Sequence, residues 1–319
     1  MFIYLLLLVI GMVLLIKGAD FFVEGSSGIA KKFGIPSLII GLTLVSLGTS
    51  APEISISINA VLDGSSDMSV SNVVGSNICN IFLILGLAAL FTPLVISKEI
   101  QRYDIPVMVG LFIVLIIFSF LISPNVIAWY EGIILLILFS GYTMFLILRA
   151  KNTAVIEEDS EKSKPNIIKC VVFVVLGLAA IIFGGDLVVD NARNIALEFG
   201  MSETLIGLTI VAVGTSLPEL VTSVVAAFKK EGDIAVGNVI GSCVFNIVLI
   251  LGLSSVLAPV GPAGSLAVQS VMIFDLAIML LGGIALLAIS CFSKKVTRWQ
   301  GVMFLIIYVA YIVYIIIRN

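Results

Sequence analysis

The sequence predicts an all-α polytopic membrane protein: ten transmembrane helices as two inverted-topology five-helix repeats. Three observations predict it. The 319-residue chain is 60% hydrophobic and only 12% charged, a balance that suits a bilayer. A shift of 166 residues lays the first half on the second without a gap from about residue 11 to 89. The basic residues gather in alternate loops, as they do when helices thread a membrane in sequence.

Apolar runs long enough to span fall at about 2–30, 35–62, 68–95, 105–122, 126–149, 167–196, 202–228, 233–258, 267–291 and 299–317. The first run lacks the basic leader of a signal peptide and continues into Lys17 and Asp20, so it reads as a retained helix. The links are short, with turn residues at Asp63-Gly64-Ser65-Ser66-Asp67 and Ser123-Pro124-Asn125. The longest polar stretch, Lys151 to Lys164, reads as a solvated linker. The expected division is a first five-helix repeat over 1–149, a linker over 150–166 and a second repeat over 167–319.

Under the 166-residue offset, Gly18 meets Gly184, Asp20 meets Asp186 and Glu24 meets Asp190. Gly41, Thr43, Gly48, Thr49, Ser50, Pro52, Glu53, Asp67, Asn72, Gly75, Ser76, Asn80 and Gly86 all meet identical residues. Later the offset drifts to 169, where Gly132 meets Gly301 and Tyr142 meets Tyr311. Five is odd, so the second repeat enters the membrane upside down. Charge tests this independently. The odd-numbered loops hold Lys31, Lys32, Lys98, Arg102, Arg149, Lys151, Lys162, Lys164, Lys169, Lys229, Lys230, Lys294, Lys295 and Arg298, out of 17 basic residues in all. The positive-inside rule makes those loops cytoplasmic. The expected location is the cell membrane, multi-pass, with both termini extracellular and the 150–166 linker cytoplasmic. Inverted repeats with broken helices at matching positions point to a secondary transporter with a midplane site.

Composition also excludes. Histidine is absent, which removes His-ligated metals and His general bases. Cys79, Cys170, Cys243 and Cys291 are scattered and read as free thiols. Net charge is near zero and no basic patch suggests nucleic acid. No nucleophile–base pair is evident, so an enzyme is not expected.

The chemistry sits in Gly48-Thr49-Ser50-Ala51-Pro52-Glu53 and its echo Gly214-Thr215-Ser216-Leu217-Pro218-Glu219. Each puts a proline and a glutamate inside an apolar run. Proline removes one backbone hydrogen bond, making the Gly48 and Gly214 carbonyls candidates for release. A carboxylate at membrane depth is costly and is by default a functional-site hypothesis. Ser46, Ser50, Glu53 and Ser57 follow helical spacing, and Thr215, Ser216, Glu219 and Ser223 repeat it, with Ala212 in place of Ser46. Asn72, Ser76 and Asn80 form a stripe at steps of four, as do Asn238, Ser242 and Asn246. The inventory is nearly all oxygen, which hard cations such as Ca²⁺ want and soft metals do not. The two glutamates supply about −2 when ionised. That offsets one Ca²⁺, and a site that cannot neutralise two loads at once favours exchange.

The other polar and small residues carry blander readings. Gly75, Gly86 and Gly241 read as close-packing positions. Asp67 and Asp233 precede helices and read as N-caps. Asp20, Glu24, Asp186 and Asp190 lie near helix ends, where interfacial hydration is the default. Asp275 lies inside the ninth helix with no evident first-half mate.

With these motifs assembled, the chain resembles the Na⁺/Ca²⁺ exchangers of the cation/Ca²⁺ exchanger superfamily, in their compact prokaryotic form. The most specific parts are the two motifs above, with Ser71-Asn72-Val73-Val74-Gly75-Ser76-Asn77 and Gly237-Asn238-Val239-Ile240-Gly241-Ser242. The resemblance implies ion sites between the second, third, seventh and eighth helices, and helices one and six that slide as a pair. It implies that Glu53 and Glu219 bridge the central cations. Thr49 and Thr215 would offer backbone carbonyls, and Ser50 and Ser216 hydroxyls. Ser76 and Ser242 would line Na⁺ sites with carbonyl help from Ser46 and Ala212, while Asn80 and Asn246 complete the central layer. Some members of the family carry Asp at the positions of Asn80 or Asn246; here both are Asn.

The function expected is electrogenic Na⁺/Ca²⁺ antiport by alternating access, with Ca²⁺ extruded by the Na⁺ gradient. The alternative is a H⁺/Ca²⁺ (cation/proton) antiporter. No cofactor is expected. The partners expected are the transported Ca²⁺ and Na⁺ and the lipid bilayer, with no nucleic acid and no obligate protein partner.

Overall fold

The computed structural model describes residues 2–153, 165–201, 212–261 and 264–318. The first repeat runs α1 (Phe2–Phe33), α2 (Ser37–Thr49 continuing as Ala51–Leu62), α3 (Ser66–Phe91), α4 (Ile100–Ile122) and α5 (Trp129–Thr153). The second runs α6 (Ile167–Glu198), α7 (Leu217–Phe228, after a short turn at Ala212–Gly214), α8 (Gly232–Leu257), α9 (Ser270–Phe292) and α10 (Arg298–Arg318). Among the described residues eight helices are long and apolar enough to cross a membrane, and α2 makes nine when its two halves, bent by 46°, count as one span. The expected helix over 202–228 is seen only from Ala212 on; its earlier part lies outside the described residues, as does most of the 150–166 linker.

The layers follow from composition. The apolar windows of α3 and α8 are 78% and 94% buried, against 22% for α1, α5 and α10. The two helices that carry the Asn/Ser stripes are therefore central, and the uniformly apolar ones face lipid. Each central helix widens into a π-helical turn, at Cys79–Ile84 in α3 and Asn246–Leu251 in α8. Such turns are rare and gather at functional sites. Two short antiparallel strand pairs tie the repeats together, Leu94–Val95 with Lys295–Val296 and Val126–Ile127 with Leu266–Ala267.

α1 and α6 run antiparallel along a seam of small residues. A Cβ on Gly11 would lie 2.9 Å from the Gly184 carbonyl oxygen, one on Gly18 2.8 Å from that of Gly177, and one on Gly25 2.6 Å from that of Cys170. Small residues let membrane helices approach backbone to backbone. Gly86 and Gly241 pack closely as expected, against Gly301 and against Leu42 and Ser46. A Cβ on Gly75 meets nothing within 4 Å among the described residues. The repeat mates of Leu42 and Ser46 are Leu208 and Ala212, and Leu208 lies outside the described residues.

Three expectations change. Asp67 and Asp233 are not N-caps: Ser65 and Glu231 hold those positions, and each Asp sits in the first turn, where it still complements the helix dipole. Asp67 also accepts a hydrogen bond from Gln269 Nε2 at 2.7 Å. Asp20 and Glu24 are not merely hydrated, because Lys229 Nζ lies 2.5 Å and 3.8 Å from their carboxylates. Asp275 does have a mate. It binds Arg318 Nη1 at 3.0 Å and Tyr311 Oη at 3.2 Å, and Asp104 binds Arg149 Nη1 at 2.9 Å and Tyr142 Oη at 3.0 Å. Tyr142 and Arg149 meet Tyr311 and Arg318 at the 169 offset, but Asp104 meets Asp275 at 171, so a fixed register hides the pair.

Each cluster ties a helix to its neighbour by a buried ion pair. Breaking one partner strands a charge and costs about 3–5 kcal/mol. Arg149→Met is therefore expected to lower the melting temperature of the detergent-solubilised protein by several degrees, and adding Asp104→Leu to recover much of the loss. A wild-type melt for Arg149→Met would refute this role.

Candidate cation site

The two Ser-x-Pro-Glu segments break their helices in the same way. Ser50 has φ −81° and ψ 9°, and Ser216 has φ −91° and ψ 8°. Both lie in the sparsely populated bridge region where many active-site residues sit. Pro52 and Pro218 follow in the first turn of the next helical segment, where a missing N–H costs nothing. The Gly48 carbonyl is not released as expected, since it accepts a backbone N–H at the Ser50 cap. The break thus re-satisfies part of the ladder that proline interrupts.

The serines stand at N-cap positions, yet neither side chain caps its helix. Ser50 Oγ instead crosses to the other repeat, donating to Glu219 Oε1 at 2.8 Å, with Ser242 Oγ 3.1 Å away. Glu53 and Glu219 occupy the first turns of Ala51–Leu62 and α7 and are each 1% exposed. Positive helix N-termini favour a carboxylate there. Glu53 faces both Glu219 and Ser216. Among the described residues no lysine or arginine pairs with either glutamate.

Six side-chain oxygens on the helices that meet here, α2, α3, α7 and α8, are buried without a hydrogen-bond partner among the described residues: Glu53 Oε1 and Oε2, Glu219 Oε2, Asn80 Oδ1, Asn246 Oδ1 and Ser216 Oγ. Asn80 and Glu219 both flank Cys243. Buried polar atoms are nearly always satisfied, and each orphan costs about 1–3 kcal/mol. Six together, from both repeats and all able to accept, form an electron-rich cluster in which the Ser216 hydroxyl is the one donor. A hard cation completes such a set, and six oxygens lie in the range Ca²⁺ takes.

Most of the expected residues converge here. Ser76 and Ser242 are buried one turn before Asn80 and Asn246. Ser46 is buried on the first half of α2; its hydroxyl donates to the Thr43 carbonyl, and its own carbonyl accepts the Ser50 N–H at 3.0 Å. Thr49 Oγ1 donates to Asn238 Oδ1 at 3.1 Å, joining α2 to α8. Thr215 precedes the second break, half-buried. Ala212 opens the turn before it, and its side chain lies outside the described set.

A bracing layer surrounds these oxygens. Asn72 Nδ2 donates to Ser57 Oγ at 3.0 Å and to the Glu53 carbonyl at 3.4 Å. Asn238 Nδ2 repeats both bonds with Ser223 Oγ at 2.9 Å and the Glu219 carbonyl at 3.4 Å. The stripe asparagines nearest the loops therefore clamp the glutamate-bearing turns instead of joining the orphan set. Asn77, inside the quoted motif but not weighed as a site residue, accepts from Asn246 Nδ2 at 3.0 Å through its Oδ1. Its repeat mate is Cys243, so identity between repeats could not single it out.

Known proteins are similar to this chain over most of its length. A family described as sodium/calcium exchanger protein matches residues 3–148 and 169–317. The sodium/calcium exchanger MaX1 of Methanosarcina acetivorans is 34% identical over 346 residues, covering 97% of each chain. The inner membrane protein YrbG of Escherichia coli strain K12 is 38% identical over 305 residues, covering 93% of this chain and 91% of its own. A solved structure of the sodium-calcium exchanger NCX_Mj, soaked with zero Na⁺ and Ca²⁺, superimposes with a TM-score of 0.83 at 33% identity over 98% of both chains. A buried cluster of oxygens beside two matching helix breaks, a family match across both halves and full-length relatives agree: this chain belongs to the sodium/calcium exchanger family.

Proposed function

We propose that the chain is an electrogenic Na⁺/Ca²⁺ antiporter of the cell membrane, working by alternating access, with Ca²⁺ extrusion driven by the Na⁺ gradient. The observation that carries this reading is the set of six partnerless buried oxygens contributed by both repeats. In this reading Glu53 and Glu219 bridge the central cation, and Asn80, Asn246, Ser50 and Ser216 complete its oxygens. Ser76, Ser242, Thr49, Thr215 and the Ser46 and Ala212 carbonyls line flanking Na⁺ positions. One Ca²⁺ cancels the two glutamate charges. A Na⁺ load of more than two ions over the same oxygens carries net charge, and its exchange for Ca²⁺ is then electrogenic.

The antiparallel seam between repeat mates α1 and α6 supports an arrangement of ten spans as two inverted repeats. Proteoliposomes loaded with Na⁺ should take up radiolabelled Ca²⁺ when external Na⁺ is removed, faster with an inside-positive potential, because more than two Na⁺ leaving for each Ca²⁺ carry net positive charge outward. Absence of Na⁺-dependent uptake sinks the reading, and uptake driven by a proton gradient alone replaces it with H⁺/Ca²⁺ antiport.

One asymmetry bears on access. At the basic end of the bundle, α1 is tied to the α7–α8 turn. Lys229 reaches Asp20 and Glu24, Lys31 lies 3.6 Å from Glu231, and Ser27 Oγ donates to Glu231 Oε1 at 2.6 Å. Lys169 of α6 adds a 3.7 Å contact with Glu24. Under the 166 offset Asp20, Glu24 and Lys229 become Asp186, Asp190 and Asp63, three acids that cannot form the same latch. The ionic contacts therefore favour closure at the cytoplasmic end. Partly exposed pairs contribute about 0.2–1 kcal/mol each. Lys229→Met is expected to shift the ratio of exchange rates between inside-out and right-side-out vesicles about two- to fivefold, and an unchanged ratio counts against the latch.

A further inference from the structure

Asn246 and Asn80 are repeat mates, but they are not held alike. An amide has an acceptor end and a donor end, and its orientation decides which end a neighbour meets. Asn246 Nδ2 is fixed on Asn77 Oδ1 at 3.0 Å, which turns Asn246 Oδ1 the other way, into the set of partnerless oxygens. Asn77 is itself 0% exposed and held on both sides. Its Nδ2 lies 3.7 Å from Met279 Sδ on α9, and its carbonyl faces Cys243 Sγ at 3.9 Å. A flipped Asn246 would set its Oδ1 against Asn77 Oδ1, two acceptors face to face, or force Asn77 to flip as well. It would also aim two donors at the cation position. In the other half the mate of Asn77 is Cys243, and Asn80 has that thiol beside it. A thiol is a weak hydrogen-bonding partner.

We propose that Asn77 is a positioning residue that locks the Asn246 amide with its oxygen toward the cation, so that Ca²⁺ affinity depends on a side chain that does not touch the ion. This rests on the cation site proposed above. The lock exists in one repeat only, so the second-repeat side of the central layer is the stiffer.

The test uses the full-length chain and two readouts, the half-saturating Ca²⁺ concentration for exchange in proteoliposomes and the rise in melting temperature with added Ca²⁺. Asn77→Leu removes the acceptor at nearly constant volume. It is expected to raise half-saturation about fivefold, with the maximal rate changed less than twofold. Asn77→Asp keeps the acceptor and is expected to bind Ca²⁺ as tightly as wild type or tighter. In an Asn246→Asp background both ligand atoms are oxygens and orientation no longer matters, so Asn77→Leu is expected to have no further effect on Ca²⁺ binding. Should Asn77→Leu fail to assemble, Asn77→Cys, which copies the other repeat, is expected to raise half-saturation by a smaller factor. Unchanged half-saturation in Asn77→Leu, or the same fivefold loss in the Asn246→Asp background, overturns the lock. Wild-type protein without Na⁺-coupled Ca²⁺ uptake overturns the cation site instead, so the two failures are distinguishable.

Discussion

Glu53→Gln and Glu219→Gln are each expected to abolish Na⁺-dependent Ca²⁺ uptake while leaving a folded protein. A unit charge 4 Å from another is worth about 4 kcal/mol at an effective dielectric of 20. At about 1.4 kcal/mol per decade, losing one such attraction weakens Ca²⁺ binding by about a thousandfold. The folded state should not suffer in the same way. Both carboxylates are 1% exposed and face one another with no basic partner among the described residues, so neutralising one removes repulsion. In ion-free buffer either variant is expected to melt at or above the wild-type temperature. Wild type should gain stability on adding Ca²⁺, by RT ln(1 + [L]/Kd), and the variants should gain almost none. A variant that transports at the wild-type rate, or keeps the full Ca²⁺-induced rise, would remove its glutamate from the site.

Gly177→Leu is expected to cut exchange at least tenfold and to lower the melting temperature by several degrees. A Cβ at this position would lie 2.6 Å from the Phe22 nitrogen and 2.7 Å from the Gly18 carbonyl oxygen. Both are backbone atoms, so no side chain can give way and α1 must move off α6. Overpacking of this kind costs about 1–3 kcal/mol. The seam repeats every seven residues, through Gly11, Gly18 and Gly25 on one helix and Cys170, Gly177 and Gly184 on the other. A displaced pair should also lose its grip on the core, because Gly48 sits close to Phe22 of α1 and Leu178 of α6: a Cβ on it would lie 3.1 Å and 3.4 Å from their side chains. Gly141→Leu is the control, since a Cβ there meets nothing within 4 Å among the described residues, and it is expected to behave as wild type. Equal loss in both variants would point to a general intolerance of bulk and away from the seam.

The two kinds of residue differed in how visible they were beforehand. Glu53 and Glu219 stood out because a carboxylate in hydrocarbon is expensive wherever it sits, so its presence alone is informative. The α1–α6 seam was only half visible: the repeat pairs Gly18 with Gly184, whereas the contacts join Gly18 to Gly177 and Gly11 to Gly184. Repeat mates share a sequence position, and contact partners share a place, and inversion separates the two. The Asp104 and Asp275 clusters were hidden by a two-residue change of register, and the Gly48 carbonyl was misjudged because a cap can re-satisfy what a proline leaves open.

The sequence by itself determined the solvent, the duplication, the two helix breaks and the oxygen character of the site. All of these follow from side-chain chemistry and spacing along one chain. Only the tertiary structure decided which oxygens are left without partners. Asn72, Asn238 and Asn246 look alike in the sequence, each a neutral amide on a polar stripe, and Asn77 lies one residue beyond such a stripe. In space Asn72 and Asn238 clamp the glutamate turns, Asn77 accepts from the Asn246 amide, and among the described residues Asn80 and Asn246 keep a buried oxygen without a partner. An amide can donate or accept, and which it does is settled by the neighbour that packing brings to it.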